Sequence, residues 1–321
     1  MESRFPEPER VRLGVSACLL GERVRYDGGH KRDHFLTEVL DPHVEWVPVC
    51  PEVEIGLGVP RPALRLVGRP ESPRLVREDG ADLTGRMRRH AADRVRQLAD
   101  LGLDGYVLKR ASPSCGLLGV RVHGDGGRPD AGGRGIFAAA LVRRLPALPV
   151  EEEGRLGDAG IRESFIERVF AMARWRAFLR TRPRARDLVA FHAAHELALL
   201  AHGPAHHARL GRLVAEARGR LGRERLAAYG RLLMEALAAR ATRGRHANVL
   251  QHAAGRLERD LDPAGRAELA EAIEDYRRGL VPLVVPLTLV RHHARRLGIA
   301  GLAGQVYLNP HPRELLLRDH V

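Results

Sequence analysis

The chain has 321 residues, enough for two domains that each bury a core, and carries a net charge of +13. Its longest apolar stretch, residues 279–290, is broken by Pro282 and Pro286 and falls far short of the ~20 residues that cross a bilayer. The first ten residues are polar and lack the apolar segment of a secretory signal. A cytoplasmic protein with reduced thiols is therefore expected.

Charge is uneven, +4 over residues 1–150 and +9 over 151–321, and 51 of the 53 cations are arginine. A GC-rich genome accounts for that bias by itself. The physical alternative is a phosphate-binding surface, because guanidinium forks pair with phosphate oxygens.

The elements alternate through the first half. Residues 13–19, 44–49, 64–67, 75–77 and 105–108 read as short strands, several apolar along their whole length. Residues 84–99 read as a helix with Thr84 as N-cap and Met87, Ala91, Val95 and Leu98 on one face. The Gly-rich residues 124–135 lead into a further helix over 136–144. They lack both a Gly-x-Gly-x-x-Gly context and a Lys-Ser/Thr ending, so a mobile loop near the active site is expected rather than a phosphate loop. The expectation is an α/β domain over 1–150, built on a small mixed or parallel sheet with flanking helices.

Beyond Pro149 and the acidic run Glu151-Glu152-Glu153, helical periodicity takes over at 163–179, 187–202, 209–217, 223–239, 247–260 and 263–278. Pro183, Pro204, Gly222 and Pro263 punctuate it. An all-α domain over 151–321 follows.

The three cysteines stand at Ser16-Ala17-Cys18-Leu19-Leu20-Gly21, Pro48-Val49-Cys50-Pro51-Glu52 and Ser112-Pro113-Ser114-Cys115-Gly116. Gaps of 32 and 65 residues and an odd count suit neither a disulfide framework nor a zinc ribbon. Each thiol follows an apolar run and meets a Gly/Pro-rich turn, the edge of an open α/β sheet where ligands bind. A lone catalytic thiol would leave the other two as core residues, and zinc would recruit a His that no cysteine adjoins. A [4Fe–4S] cluster held by three thiolates with one open iron fits the pattern better.

These segments, with Val24-Arg25-Tyr26-Asp27-Gly28 and Gly56-Leu57-Gly58-Val59-Pro60-Arg61-Pro62, resemble the thiouracil desulfidase family. The resemblance spans most of residues 10–150. It implies a [4Fe–4S] cluster on Cys18, Cys50 and Cys115 and removal of sulfur from a thiolated pyrimidine. The ending Gln305-Val306-Tyr307-Leu308-Asn309-Pro310-His311-Pro312-Arg313-Glu314-Leu315, with Arg318-Asp319-His320-Val321, resembles the YbgA-like helical domain that accompanies this domain in many bacteria. The two-domain arrangement resembles bacterial enzymes that desulfurate 4-thiouridine in tRNA.

Beside such a cluster, Glu52 is the candidate general acid/base, since it stands two residues from Cys50. Ser112 and Ser114 are candidates to hydrogen-bond the pyrimidine or a cluster sulfur, or simply to shape the turn. Tyr26 and Asp27 are candidates to hold the base, although Tyr-Asp-Gly is also ordinary turn chemistry. Arg174, Arg176, Arg180, Arg182, Arg184 and Arg186 flank Trp175 and Phe178; phosphate contacts are expected from some of the arginines and core packing from the aromatics. His192 and His195, beside Glu196, lack a third metal ligand and read as solvated or core-edge residues. His206-His207 and His292-His293 are expected on an RNA-facing surface.

The expected activity is conversion of tRNA 4-thiouridine to uridine with release of sulfide. Desulfidation of free thiouracil or a nucleotide is the alternative enzyme, and an iron–sulfur sensor that binds nucleic acid is the alternative of another kind.

Overall fold

The computed structural model describes residues 10–124, 129–219 and 221–319, and the chain divides between Phe165 and Ile166 into two compact units. In the first, β1 (Val11–Ser16), β2 (Val44–Val49), β5 (Gly105–Leu108) and β8 (Val150–Glu152) form a sheet of order β2-β1-β5-β8. Every pairing in it is parallel. Val11, Leu13 and Val15 of β1 and all four residues of β5 are buried, as expected for parallel strands covered on both faces. Gly14 is required by the fold, because a Cβ there would stand 2.2 Å from the ring of Tyr106.

A second sheet, of order β4-β3-β6-β7, joins β3 (Leu64–Val67), β4 (Arg74–Arg77), β6 (Val120–His123) and β7 (Asp130–Gly133). Its β3–β6 pair is parallel and its outer pairs antiparallel. The sheet content is thus mixed and parallel, but divided in two.

α2 (Thr84–Leu101) buries Met87, Ala91, Val95 and Leu98, and stops at Gly102 in the left-handed region. Thr84 is not its N-cap: it is the first helical residue, its backbone N–H donates to Asp82 Oδ1 at 2.8 Å, and its hydroxyl accepts from Leu75 N at 2.8 Å. The aspartate two residues earlier does the capping work, which frees the threonine to tie the helix to β4. α3 (Ile136–Arg144) matches the expected helix. β7 claims part of the Gly-rich segment, pairing with β6 through Val120–Gly133 and Val122–Asp130. The rest of the expected mobile loop, residues 125–128, lies outside the described residues, as do residues 1–9 and 320–321.

α4 (Ala159–Arg180) begins in the first unit and ends in the second. There follow α5 (Ala185–Ala194), α6 (Glu196–His202), α7 (Pro204–Ala215), α8 (Arg223–Ala238), α9 (Arg243–Gly255), α10 (Pro263–Arg278), α11 (Val284–Arg296) and α12 (Ala300–Ala303). The single helix expected over 187–202 is broken at His195, whose Nδ1 bonds the Phe191 carbonyl at 2.8 Å. α11 was hidden by its prolines. Pro282 precedes it and Pro286 lies in its first turn, where a missing N–H costs no intrahelical bond.

Trp175, Phe178, Phe191 and Tyr229 form an aromatic core, with ring centroids 4.6 Å apart for Phe178–Phe191 and 5.2 Å for Trp175–Tyr229. Gly230 admits the indole, since a Cβ there would meet Trp175 Nε1 at 2.3 Å.

Candidate active site

In the parallel sheet the chain leaves β1 for a neighbour on one side and later returns to a neighbour on the other. Ligands bind at such a reversal, beyond the carboxyl ends of the strands. Cys18 follows β1, Cys50 follows β2, and Cys115 lies in the loop after β5. All three are free; Cys18 and Cys115 are buried and Cys50 half-buried.

The thiols feel one another. Burial first, then the charge of Cys50, pushes Cys18 up to about 11, against the pull of Lys109 and Arg25. Burial also raises Cys50. Cys115 is raised by burial, by Glu52 and by both other thiols, with a hydrogen bond from Ser16 opposing. Without a compensating cation the trio is held as neutral thiols. Among the described residues, no group of three or more His, Cys, Asp or Glu side chains is gathered as ligands of a metal ion.

Glu52 is the second residue of α1 (Pro51–Glu54), the short helix that Cys50 caps. Arg61 grips it, through Nε at 3.2 Å and Nη2 at 2.5 Å from Oε2. Arg61 Nη1 also donates to the Val24 and Gly58 carbonyls, both at 3.0 Å. The other carboxylate oxygen accepts from Ser114 Oγ at 2.6 Å. A hydroxyl has one proton, so Ser114 spends its own on Glu52 and accepts at 3.0 Å from Ser112 Oγ. Ser112 Oγ also accepts from the backbone N–H of Cys115 at 3.1 Å, which shapes the turn.

Two further supports fix this loop. A Cβ at Gly135 would stand 2.4 Å from the Ser114 carbonyl oxygen and 2.9 Å from Cys115 N, so α3 begins hard against the loop backbone. From β8, Glu152 Oε1 accepts from Leu117 N at 2.7 Å and Leu118 N at 3.2 Å. Lys109 pairs with Glu153, and its backbone N–H donates to Ser16 Oγ at 3.0 Å.

The structure thus brings Glu52, Ser112, Ser114 and Cys115 into one hydrogen-bonded group, while Cys50 Sγ donates at 3.8 Å to the Val24 carbonyl that also accepts from Arg61. Tyr26 is half exposed beneath Arg25, whose guanidinium lies 5.3 Å from the ring centroid. Asp27 closes its own turn, accepting from Gly29 N at 3.0 Å. The Tyr26 carbonyl accepts from Arg61 N at 2.9 Å, so the turn is tied to the residue that grips Glu52.

Arg61, Ser16, Lys109 and Glu152 carry roles that sequence reasoning did not assign. Lys109 offered a signal, as one of two lysines in an arginine-rich chain; Arg61 offered only its place among prolines. A depression of about 660 Å³ borders the chain just after Cys115, lined by Leu117, Leu118, Arg134 and Arg143 among others, and no thiol lines it.

In the helical unit, Trp175 and Phe178 are core residues. Arg174 and Arg176 are half-buried, and Arg174 donates to the Pro310 carbonyl. Arg180, Arg182 and Arg184 are exposed. His192 bonds Tyr229 Oη at 3.1 Å, and burial lowers its pKa to about 4. His195 stacks on Phe191 at 4.1 Å, and burial lowers it to about 3. Both are neutral histidines of the core and its edge.

Residues 13–153 match the family described as 2-thiouracil desulfurase. Residues 197–312 match a protein family of unknown function, DUF1722. Uncharacterized protein YbgA of Escherichia coli (strain K12) is 30% identical over 132 residues, 41% of this chain and 78% of that protein. The chain's N-terminal domain, residues 13–153, belongs to the thiouracil desulfidase family. Its desulfidase-like N-terminal domain is joined to a YbgA-like helical domain. Uncharacterized protein YbbK of Bacillus subtilis (strain 168) is 29% identical over 150 residues, 45% of this chain and 97% of that protein. A solved structure described as the [4Fe-4S]-dependent thiouracil desulfidase TudS shares 33% identity, with 46% of this chain and 94% of that chain covered and a TM-score of 0.37. No helix among the described residues is long and apolar enough to cross a membrane.

Proposed function

We propose that the protein converts 4-thiouridine in tRNA to uridine, replacing C=S by C=O with water and releasing sulfide. The reading is carried by three mutually interacting free thiols beyond the ends of parallel strands, with an oriented carboxylate beside them. The donor set fits a [4Fe–4S] cluster held by Cys18, Cys50 and Cys115. Thiolates are soft ligands of the kind that would hold such a cluster. When bound, the cluster supplies a Lewis-acidic iron for the soft thiocarbonyl sulfur.

The chain's own residues do the rest. Glu52, held by Arg61 and Ser114, takes the proton of the water that adds to the ring carbon and returns it to the departing sulfur. Its two oriented hydrogen-bond partners leave it little rotational freedom to lose in the transition state. Ser112 and Ser114 keep the carboxylate aimed, and Tyr26 and Asp27, in the turn tied to Arg61, are the contacts for the base. The basic helical domain, with Arg174, Arg176, Arg180, Arg182 and Arg184, presents the RNA.

The description of the solved relative names thiouracil, which favours the free base as the second reading. The test uses protein purified without oxygen and bulk tRNA containing 4-thiouridine, following sulfide release and loss of thiouridine absorbance. Activity lost on changing Cys18, Cys50 or Cys115 to Ala is the expected result. Conversion of free thiouracil with tRNA untouched overturns the substrate assignment. Conversion of neither, with cluster-dependent RNA binding, turns the protein into a sensor.

A further inference from the structure

Thr288, Arg291, His292, Arg295 and Arg296 recur on α11 at i, i+3, i+4, i+7 and i+8, one face of a helix. Leu287, Val290 and Ala294 bury the opposite face. Arg313, from the C-terminal segment, joins the polar face, and these six residues line an open depression of about 500 Å³. No carboxylate lines it.

Arg291 donates to Asn309 Oδ1 and Thr288 Oγ1, both at 3.2 Å, and Arg313 to Asn309 Oδ1 at 3.5 Å. Those acceptors are neutral. Half-burial, then the charges of Arg313, Arg295 and Arg318, holds the Arg291 guanidinium below its ordinary pKa. The negative end of the helix dipole offsets some of this repulsion, but only in the last turn. Four guanidiniums crowd round one concave surface whose lining holds no carboxylate.

We infer that this depression binds backbone phosphates of RNA. The inference rests on the reading of tRNA as substrate and adds the surface that grips it. Guanidinium forks match phosphate oxygens in pairs. The row runs about 12 Å along the helix, so it follows a strand of phosphates rather than closing round one. Its walls are Thr, Arg and His, with no Phe, Tyr or Trp on which the base of a free nucleotide would stack.

The test compares full-length, cluster-loaded wild type with Arg295→Gln/Arg296→Gln and with Arg313→Gln, which sits on a different element. Affinity for 4-thiouridine-containing tRNA is measured between about 50 and 200 mM salt. The double variant should bind at least about tenfold more weakly, with a salt slope shallower by about 1.5. Arg313→Gln should move both quantities in the same direction. A charge-matched control, Arg209→Gln/Arg212→Gln on α7, should change affinity less than about threefold, and circular dichroism checks that all variants keep their helices.

Unchanged tRNA affinity in both α11-face variants, or an equal loss in the control, overturns the inference while leaving tRNA as substrate. Wild type that neither binds nor desulfurates tRNA overturns both readings together. Uridine 5′-monophosphate and inorganic phosphate are titrated in parallel; binding of these that the substitutions abolish, with tRNA affinity unmoved, marks a small-anion site and also overturns the inference.

Discussion

Arg61 holds Glu52 in a two-pronged ion pair, the arginine side chain 3% exposed and the glutamate 14%. Removing one partner of a buried pair strands the other charge, at a cost of about 3–5 kcal/mol. Arg61→Ala should lower the free energy of unfolding by about that much in denaturant titrations. Glu52→Gln, which keeps the shape and the Ser114 hydrogen bond, should retain the fold and lower sulfide release by about 10²–10⁴-fold.

Gly135 touches the backbone of the Ser114–Cys115 loop, leaving no space for a methyl group. Gly135→Ala must displace that loop. The expected outcome is loss of iron and of desulfidation, with circular dichroism of the helical domain unchanged, measured as iron content and sulfide release per chain. Full iron content in this variant would show that the loop yields without consequence.

Glu167 and His202 form a buried pair, Oε2 to Nε2 at 3.2 Å, with Arg318 Nη2 3.7 Å from the other oxygen. Burial alone would raise Glu167, but His202 and Arg318 pull it well below the usual carboxylate range. Burial alone would lower His202, but Glu167 raises it above its ordinary 6.5. The histidine's contribution is full below pH 6.5 and fades as pH climbs through its raised pKa. The glutamate's is full above its ordinary 4.5 and fades only far into acid. This pair's contribution to the stability of the helical unit should therefore be greatest between these values and decline on the alkaline side. His202→Gln should abolish that alkaline decline in thermal unfolding followed from pH 4 to 9 (about the accessible range).

A Cβ added at Gly230 would stand 2.3 Å from Nε1 of the Trp175 indole. Gly230→Ala overpacks that contact and should destabilise the helical unit by about 1–3 kcal/mol. A shift in the Trp175 emission band should accompany the lowered unfolding midpoint.

The placement of the three cysteines after strands of one parallel sheet was legible because each ends an apolar run at a turn, and strands buried on both faces imply a parallel sheet. The neighbourhood of Glu52 followed from its distance of two residues from Cys50. Arg61 escaped notice because its role depends on a fold that carries a charged side chain inward, which no periodicity records. β7 escaped because Asp-Ala-Gly-Gly has no alternating apolar pattern to read, and β6 because its buried–exposed alternation runs for only four residues. Residue 150 looked like a border because composition shifts there. Yet β8 (Val150–Glu152) pairs with β5 and supplies the carboxylate that holds the Cys115 loop. A truncation at that point would remove part of the candidate active site itself.

The parallel pairing of β1 with both β2 and β5 also sets an order of events. Parallel strands cannot close through a hairpin; they need long crossovers, and such non-local pairing forms late and slowly. Cys18 and Cys115 are brought near only when β1 has found β5, across some ninety residues of chain. The polypeptide must finish this sheet before its three cysteines stand at one edge, so any cluster they hold would be loaded only after the sheet has formed.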